Sequence, residues 1–225
     1  MDQPSIFLGN LRVDEPVTAA TDVLVALVSW YAWYGLRTLP ADRISAFIRW
    51  FFLLMGTATF LGGVLGHAFV YFFGFWGKVP GWLISMFGIM LLERAFIFYT
   101  EPLMKPGWVR FFYYFNLGEL LIFMSLAVIT QNFHFVEYHT AYGLLVVVFG
   151  FAIFNWRKGR HNRFLQYAFA GVGLAIGAAL VFSFRLSFSP WFNHSDISHV
   201  LMALTAWIFY RGTQHYPAAQ LATAK

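Results

Sequence analysis

Five of the seven histidines, His67, His134, His139, His194 and His199, fall near the same ends of long apolar runs. Neutral imidazole ligates zinc and related ions. Three protein donors leave a position where a bound water becomes acidic enough to attack a carbonyl. His67 and His199 each lie a turn or more inside an apolar run, where an ionisable group is costly and marks a site. His194, His139 or Asp196 would complete a metal set with them. Helical spacing narrows the choice: Asp196 and Ser195 precede His199 by three and four residues and share its face, whereas His194 is turned away by about 140°. Asp196 and Ser195 are therefore the candidates to orient His199 or to assist a reaction beside it.

A second set of polar groups is acidic. Asp14, Glu15 and Asp22 cluster ahead of and within the first apolar run, and carboxylates gathered in a loop suit calcium. Pro16 stands where a helix would start, so Asp14 and Glu15 also read as acids complementing a helix N-terminus. Asp22, inside the run, is not explained that way. Glu119, three residues after Asn116, sits mid-run, and Glu93-Arg94 lies towards the inner end of the run before it. Such groups face a bundle interior; an ion pair between helices, a proton relay and a ligand cavity all fit them.

The elements that must position these residues are membrane spans. The composition is 60% hydrophobic, 21% aromatic and 11% charged, against about 25% charged in a soluble domain. Lipid must therefore be the solvent, which excludes a disordered chain, a coiled coil or an independent soluble domain. Seven runs approach the roughly 20 apolar residues a spanning helix needs: about 18–36, 46–74, 80–99, 108–130, 138–155, 163–184 and 190–210. Of the 15 basic residues, only Arg12, Lys78 and Arg185 fall on one side of these runs. The rest mark the cytoplasmic side by the positive-inside rule. The expectation is an all-α integral membrane protein, a single seven-helix bundle over residues 1–225 with the N-terminus outside and the C-terminus cytoplasmic. The start, Met1-Asp2-Gln3-Pro4, does not read as a signal peptide. There is no cysteine, which removes disulfides, thiolate metal sites and thiol nucleophiles. All four lysines lie in loops or the tail, which excludes a retinal Schiff base, and the basic clusters flank spans rather than forming a nucleic-acid motif.

This pattern resembles the alkaline ceramidase branch of the CREST superfamily, which also holds the progestin/adipoQ receptors. His67 matches the histidine of that family's second span, His199-Val200-Leu201-Met202-Ala203-Leu204 its final motif, and Glu15 to Asp22 the position of the ceramidases' calcium site. The chain departs from the pattern at Gly63, where the family has serine, at Ser195, where it has the first histidine of the last pair, and in lacking an aspartate soon after His67. The resemblance implies seven spans and an intramembrane zinc held by histidines.

Two functions follow as expectations. In the first, a zinc-dependent hydrolase acts on a lipid amide or ester whose acyl chains lie between the helices. In the second, a non-catalytic lipid-binding or receptor-like protein uses the histidines for a structural metal or to bridge helices. A b-type haem held by His67 and His199 ranks third. A membrane lipid is the expected partner in both leading readings.

Overall fold

Proline and capping side chains start the helices where the apolar runs begin. The protein is seen in a computed structural model that describes residues 3–217. Among these residues a short β-hairpin precedes seven long helices. Strands β1 (Ile6–Leu8) and β2 (Leu11–Val13) pair antiparallel, with Ile6 opposite Val13. Gly9 turns between them at φ +63°, a conformation that suits glycine.

Helix α1 (Pro16–Gly35) and helix α4 (Pro106–Thr130) open on a proline, as does the first turn of α3 (Val79–Thr100). There the missing N–H costs nothing. Side chains of Asp42, Asn162 and Asn193 cap α2 (Arg43–Ala68), α6 (Arg163–Ser183) and α7 (His194–Thr213). Helix α5 runs His134–Arg157. Two helices are not regular: α2 ends in a π-helical stretch, Gly62–Ala68, and α5 contains another, Tyr142–Phe149. Such stretches frequently accompany functional sites.

Among the described residues, five helices, α2 to α6, are long and apolar enough to cross a membrane. Helices α1 and α7 begin and end near the runs expected at 18–36 and 190–210, but they fall outside that set. They are also the helices that carry Thr18, Thr21 and Asp22, and His194, Ser195, Asp196, Ser198 and His199. The polar residues of the site thus dilute the apolar character of the helices that present them.

Helix α1 packs between α2 and α7, α6 lies against α7, and α3 is enclosed by α2, α4 and α5. Phe52, Met86, Met90, Phe96, Leu120, Val148 and Leu165 form the continuous core. Outside it, large apolar side chains face outwards, among them Leu121, Ile122, Ile129 and Phe188, the last two 79% and 84% exposed. Soluble monomers rarely carry so much contiguous exposed apolar surface, whereas lipid-facing helices must.

Candidate functional site

At the hairpin end of the bundle, α1, α2 and α7 bring Asp22, His67 and His199 together. The His67 and His199 ring centroids are 6.2 Å apart. Asp22 lies between them, Oδ2 3.7 Å from His67 Nε2 and Oδ1 3.4 Å from His199 Nε2. The opposite ring nitrogens are both engaged. His67 Nδ1 pairs with the Glu15 carboxylate. His199 Nδ1 lies 3.1 Å from Thr21 Oγ1, whose own hydroxyl proton is donated to the Thr18 carbonyl at 3.0 Å. Thr21 can therefore only accept from His199, which puts the proton on Nδ1 and leaves the Nε2 lone pair aimed at Asp22. The carboxylate acceptor at His67 fixes its tautomer the same way.

With both rings neutral and so oriented, the two Nε2 lone pairs turn towards the Asp22 carboxylate. Two imidazolium ions this close in a largely buried position would repel each other. No choice of one donor atom from each brings all three within 4.8 Å of one another, so a cation shared by them requires the two imidazoles to close further on Asp22. Two ligands held tetrahedrally at zinc–nitrogen and zinc–oxygen distances lie about 3.4 Å from each other; Asp22 meets His199 at 3.4 Å and His67 at 3.7 Å, through different oxygens. The outer partners, a carboxylate on His67 and a hydroxyl on His199, are of the kind that orient metal-ligating histidines. The donor types are those of a zinc-class ion.

Local sequence makes this approach possible. A Cβ on Gly63 would stand 2.9 Å from Asp22 Cβ and 3.0 Å from the Ala19 carbonyl oxygen. The absence of a side chain at Gly63 is what lets α1 reach α2. The cluster is not sealed: the His67 side chain is 23% exposed and that of Glu15 29%.

Asp196 is fully buried beside this site with every oxygen occupied. Oδ1 accepts from the Thr18 hydroxyl at 2.7 Å, and Oδ2 from the Gln3 amide at 2.9 Å and the Asn193 N–H at 2.7 Å. With Asn193 it closes a capping box on α7. The Gln3 carbonyl in turn accepts from the N–H groups of Val17 and Thr18, at 2.9 and 3.2 Å. Gln3, rather than Asp14 or Glu15, caps α1. Asp14 instead accepts from Ser5 and Arg12, both at 2.6 Å. Burial pushes the Asp14 carboxyl up, but those hydrogen bonds and the Arg12 charge outweigh it and hold its pKa below the ordinary value. The hydrogen bond from His67 holds that of Glu15 down. Of the three acids grouped for calcium, Asp14 faces Ser5 and Arg12, while Glu15 and Asp22 stand on opposite sides of the His67 ring. Ser195 donates its N–H to the Asn193 cap. The His194 ring lies against Phe182, with Nδ1 unpartnered.

His139 is not with these histidines. It is fully buried between α3, α4 and α5, with Nδ1 2.5 Å from Glu119 Oε1 and Nε2 2.9 Å from the Met86 carbonyl. Glu93, also fully buried, accepts from Asn116 Nδ2 at 2.9 Å, and Asn116 Oδ1 accepts from Arg94 Nε at 2.9 Å. The tie between the third and fourth spans expected of Glu119 and Glu93-Arg94 thus runs through Asn116. Sequence reasoning missed Gln3, Thr21 and the central place of Asp22; the one signal was that capping did not explain Asp22.

A family model covers residues 17–217. The chain belongs to DUF6962, a family of unknown function. The matched stretch of the DUF6962 chain contains both clusters, Asp22–His67–His199 and Glu93–Glu119–His139, while Gln3, the hairpin, Asp14 and Glu15 precede it. No curated protein and no solved structure matches the chain.

Proposed function

We propose that this protein is a zinc-dependent membrane hydrolase acting on a lipid amide or ester, with His67, His199 and Asp22 as the metal ligands. The observation that carries the reading is the approach of two imidazoles, each held by a second partner, to one buried carboxylate. A zinc ion in such a site supplies a Lewis acid and an acidified water. The protein's own groups do the rest. Glu15 and Thr21 hold the two rings in the ligating tautomer. Gln3, Thr18 and Asn193 hold Asp196, which fixes the N-termini of α1 and α7 and so the separation of Asp22 from His199. Glu15, the cluster's solvent-accessible carboxylate, is placed to exchange a proton with water. The exposed apolar faces of the surrounding helices support an acyl-chain substrate.

In this reading all seven helices span, with the hairpin outside and the basic ends cytoplasmic, supported by the distribution of the 15 basic residues. The resemblance to the CREST superfamily supports it as well, with Asp22 supplying the donor that Ser195 cannot. The carboxylate between the two rings speaks against an axial haem pair. A non-catalytic lipid-binding role is favoured by two observations: Gly63 replaces the family's serine, and Asp196 is wholly committed to capping.

The test is hydrolysis of a fluorescent long-chain N-acyl amide and the matching ester by detergent-purified protein. Turnover that disappears in both His67→Ala and Asp22→Asn but survives in His194→Ala supports the hydrolase. Turnover unchanged in Asp22→Asn, or absent from zinc-loaded wild type across both substrates, contradicts it.

A further inference from the structure

The cluster between α3, α4 and α5 shares no residue with the site just described and has a chemistry of its own. Glu93, Glu119 and His139 are all buried, and one donor atom from each lies within 4.8 Å of the other two. Two carboxylate oxygens there, Glu93 Oε1 and Glu119 Oε2, are enclosed without any hydrogen-bond partner. The Glu93 residue is 0% exposed and the Glu119 side chain 5%. Buried polar atoms are almost always satisfied, and an unpaired carboxylate oxygen is among the most expensive exceptions.

The histidine is oriented for a ligand. The Met86 carbonyl can only accept, so His139 Nε2 carries a proton, and the 2.5 Å contact of Nδ1 with Glu119 Oε1 holds another, which a metal ion would displace to take Nδ1 as its ligand. An N–H bonded to a backbone carbonyl is a usual outer partner of a metal-bound imidazole. Asn116 holds the far oxygen of Glu93 and is itself fixed by Arg94, whose guanidinium lies over the Tyr113 ring, 4.3 Å from its centroid. Arg94 therefore reaches the carboxylates only through Asn116. A divalent ion would balance the two carboxylate charges.

The backbone leaves room on the same side. Gly143 is the second residue of the π-helical stretch of α5, and a Cβ there would stand 2.5 Å from Glu93 Oε1, the unpartnered oxygen. We propose that Glu93, Glu119 and His139 form a second metal centre, selective for a divalent first-row transition ion, that ties α3, α4 and α5 together. Mixed nitrogen and oxygen donors suit zinc, manganese, iron or cobalt better than calcium or magnesium.

The test uses Co²⁺ alone as the probe, titrated into the full-length detergent-purified His67→Ala/His199→Ala double variant, with d–d absorption and equilibrium stoichiometry as readouts. One equivalent should bind. Affinity should fall by at least ~10-fold on adding Glu93→Gln or Glu119→Gln. Gly143→Ala should weaken binding too, since it keeps all three donors but fills the space at Glu93. Unfolding midpoints and monodispersity show which variants are folded. If the double variant does not fold, the wild type serves: Glu93→Gln should remove one equivalent and leave the spectrum of the His67/His199 ion unchanged. A folded double variant that binds no Co²⁺ overturns the proposal and leaves a proton-sharing carboxyl pair. Binding unchanged in folded Glu93→Gln and Glu119→Gln overturns it as well. Neither result bears on the first site, whose failure would appear as loss of hydrolysis with this centre intact.

Discussion

Adjacent glycines in α2 meet Asp22 very differently, and that difference can be measured. A Cβ on Gly62 would lie 3.5 Å from Asp22 Oδ2, an ordinary contact, whereas one on Gly63 would lie 2.9 Å from Asp22 Cβ and 3.0 Å from the Ala19 carbonyl. Non-bonded carbons settle about 3.5–4.0 Å apart, so the Gly63→Ala methyl arrives about 0.6–1.1 Å too close. The Ala19 carbonyl belongs to the backbone of α1 and cannot rotate aside, so the helices must separate. Both substitutions gain the same helix propensity, which cancels in their difference. That difference is then the overpacking cost, about 1–3 kcal/mol. In a chain of this size it corresponds to an unfolding midpoint about 2–12 °C lower for Gly63→Ala than for Gly62→Ala. Thermal unfolding of the two variants in one detergent, followed by tryptophan fluorescence, is the assay. Because the displaced residue is Asp22, Gly63→Ala should also bind zinc more weakly than Gly62→Ala. Equal midpoints would refute the claim that Gly63 sets the approach of α1 to α2.

Gln3→Ala should destabilise by about 1–3 kcal/mol, since it strips the cap from α1 and one donor from buried Asp196; a midpoint equal to wild type would show that Gln3 is dispensable. The pKa of Glu15 is lowered by folding, so its contribution is complete above the ordinary value of 4.5 and is lost as pH falls through the lower folded value. Glu15→Gln should accordingly flatten the acid side of the stability–pH profile, and a profile that keeps its full acid slope would refute this. With no native cysteine, single cysteines report topology cleanly. In intact cells or spheroplasts, Ser189→Cys should react with an impermeant maleimide and Lys158→Cys only after lysis; the reverse pattern would overturn the proposed orientation.

The helices were legible because proline, glycine and charge interrupt the apolar runs where the backbone must turn. The meeting of His67 and His199 was legible too, since each sits about the same depth inside its run. What the runs could not convey is direction. In helices apolar on nearly every side, nothing in the pattern says which neighbour a buried polar residue faces. His139 therefore grouped with the other histidines by depth, although it turns to Glu119. Asp22 lies 45 residues before His67 and 177 before His199, so only the packing of α1 between α2 and α7 reveals it as the shared partner. The role expected of Asp14 and Glu15 at the start of α1 falls to Gln3 because the hairpin folds the chain back over that end. The π-helical stretches beside both clusters left no composition signal beyond their glycines.

The most direct measurement of the central claim is the zinc content of purified wild type beside His67→Ala, His199→Ala, Asp22→Asn and His194→Ala, prepared without chelator or polyhistidine tag. The account predicts that one equivalent disappears from each of the first three and that His194→Ala keeps the wild-type content. Zinc retained in folded Asp22→Asn and His199→Ala, or lost equally from His194→Ala, would contradict a metal site built on Asp22, His67 and His199.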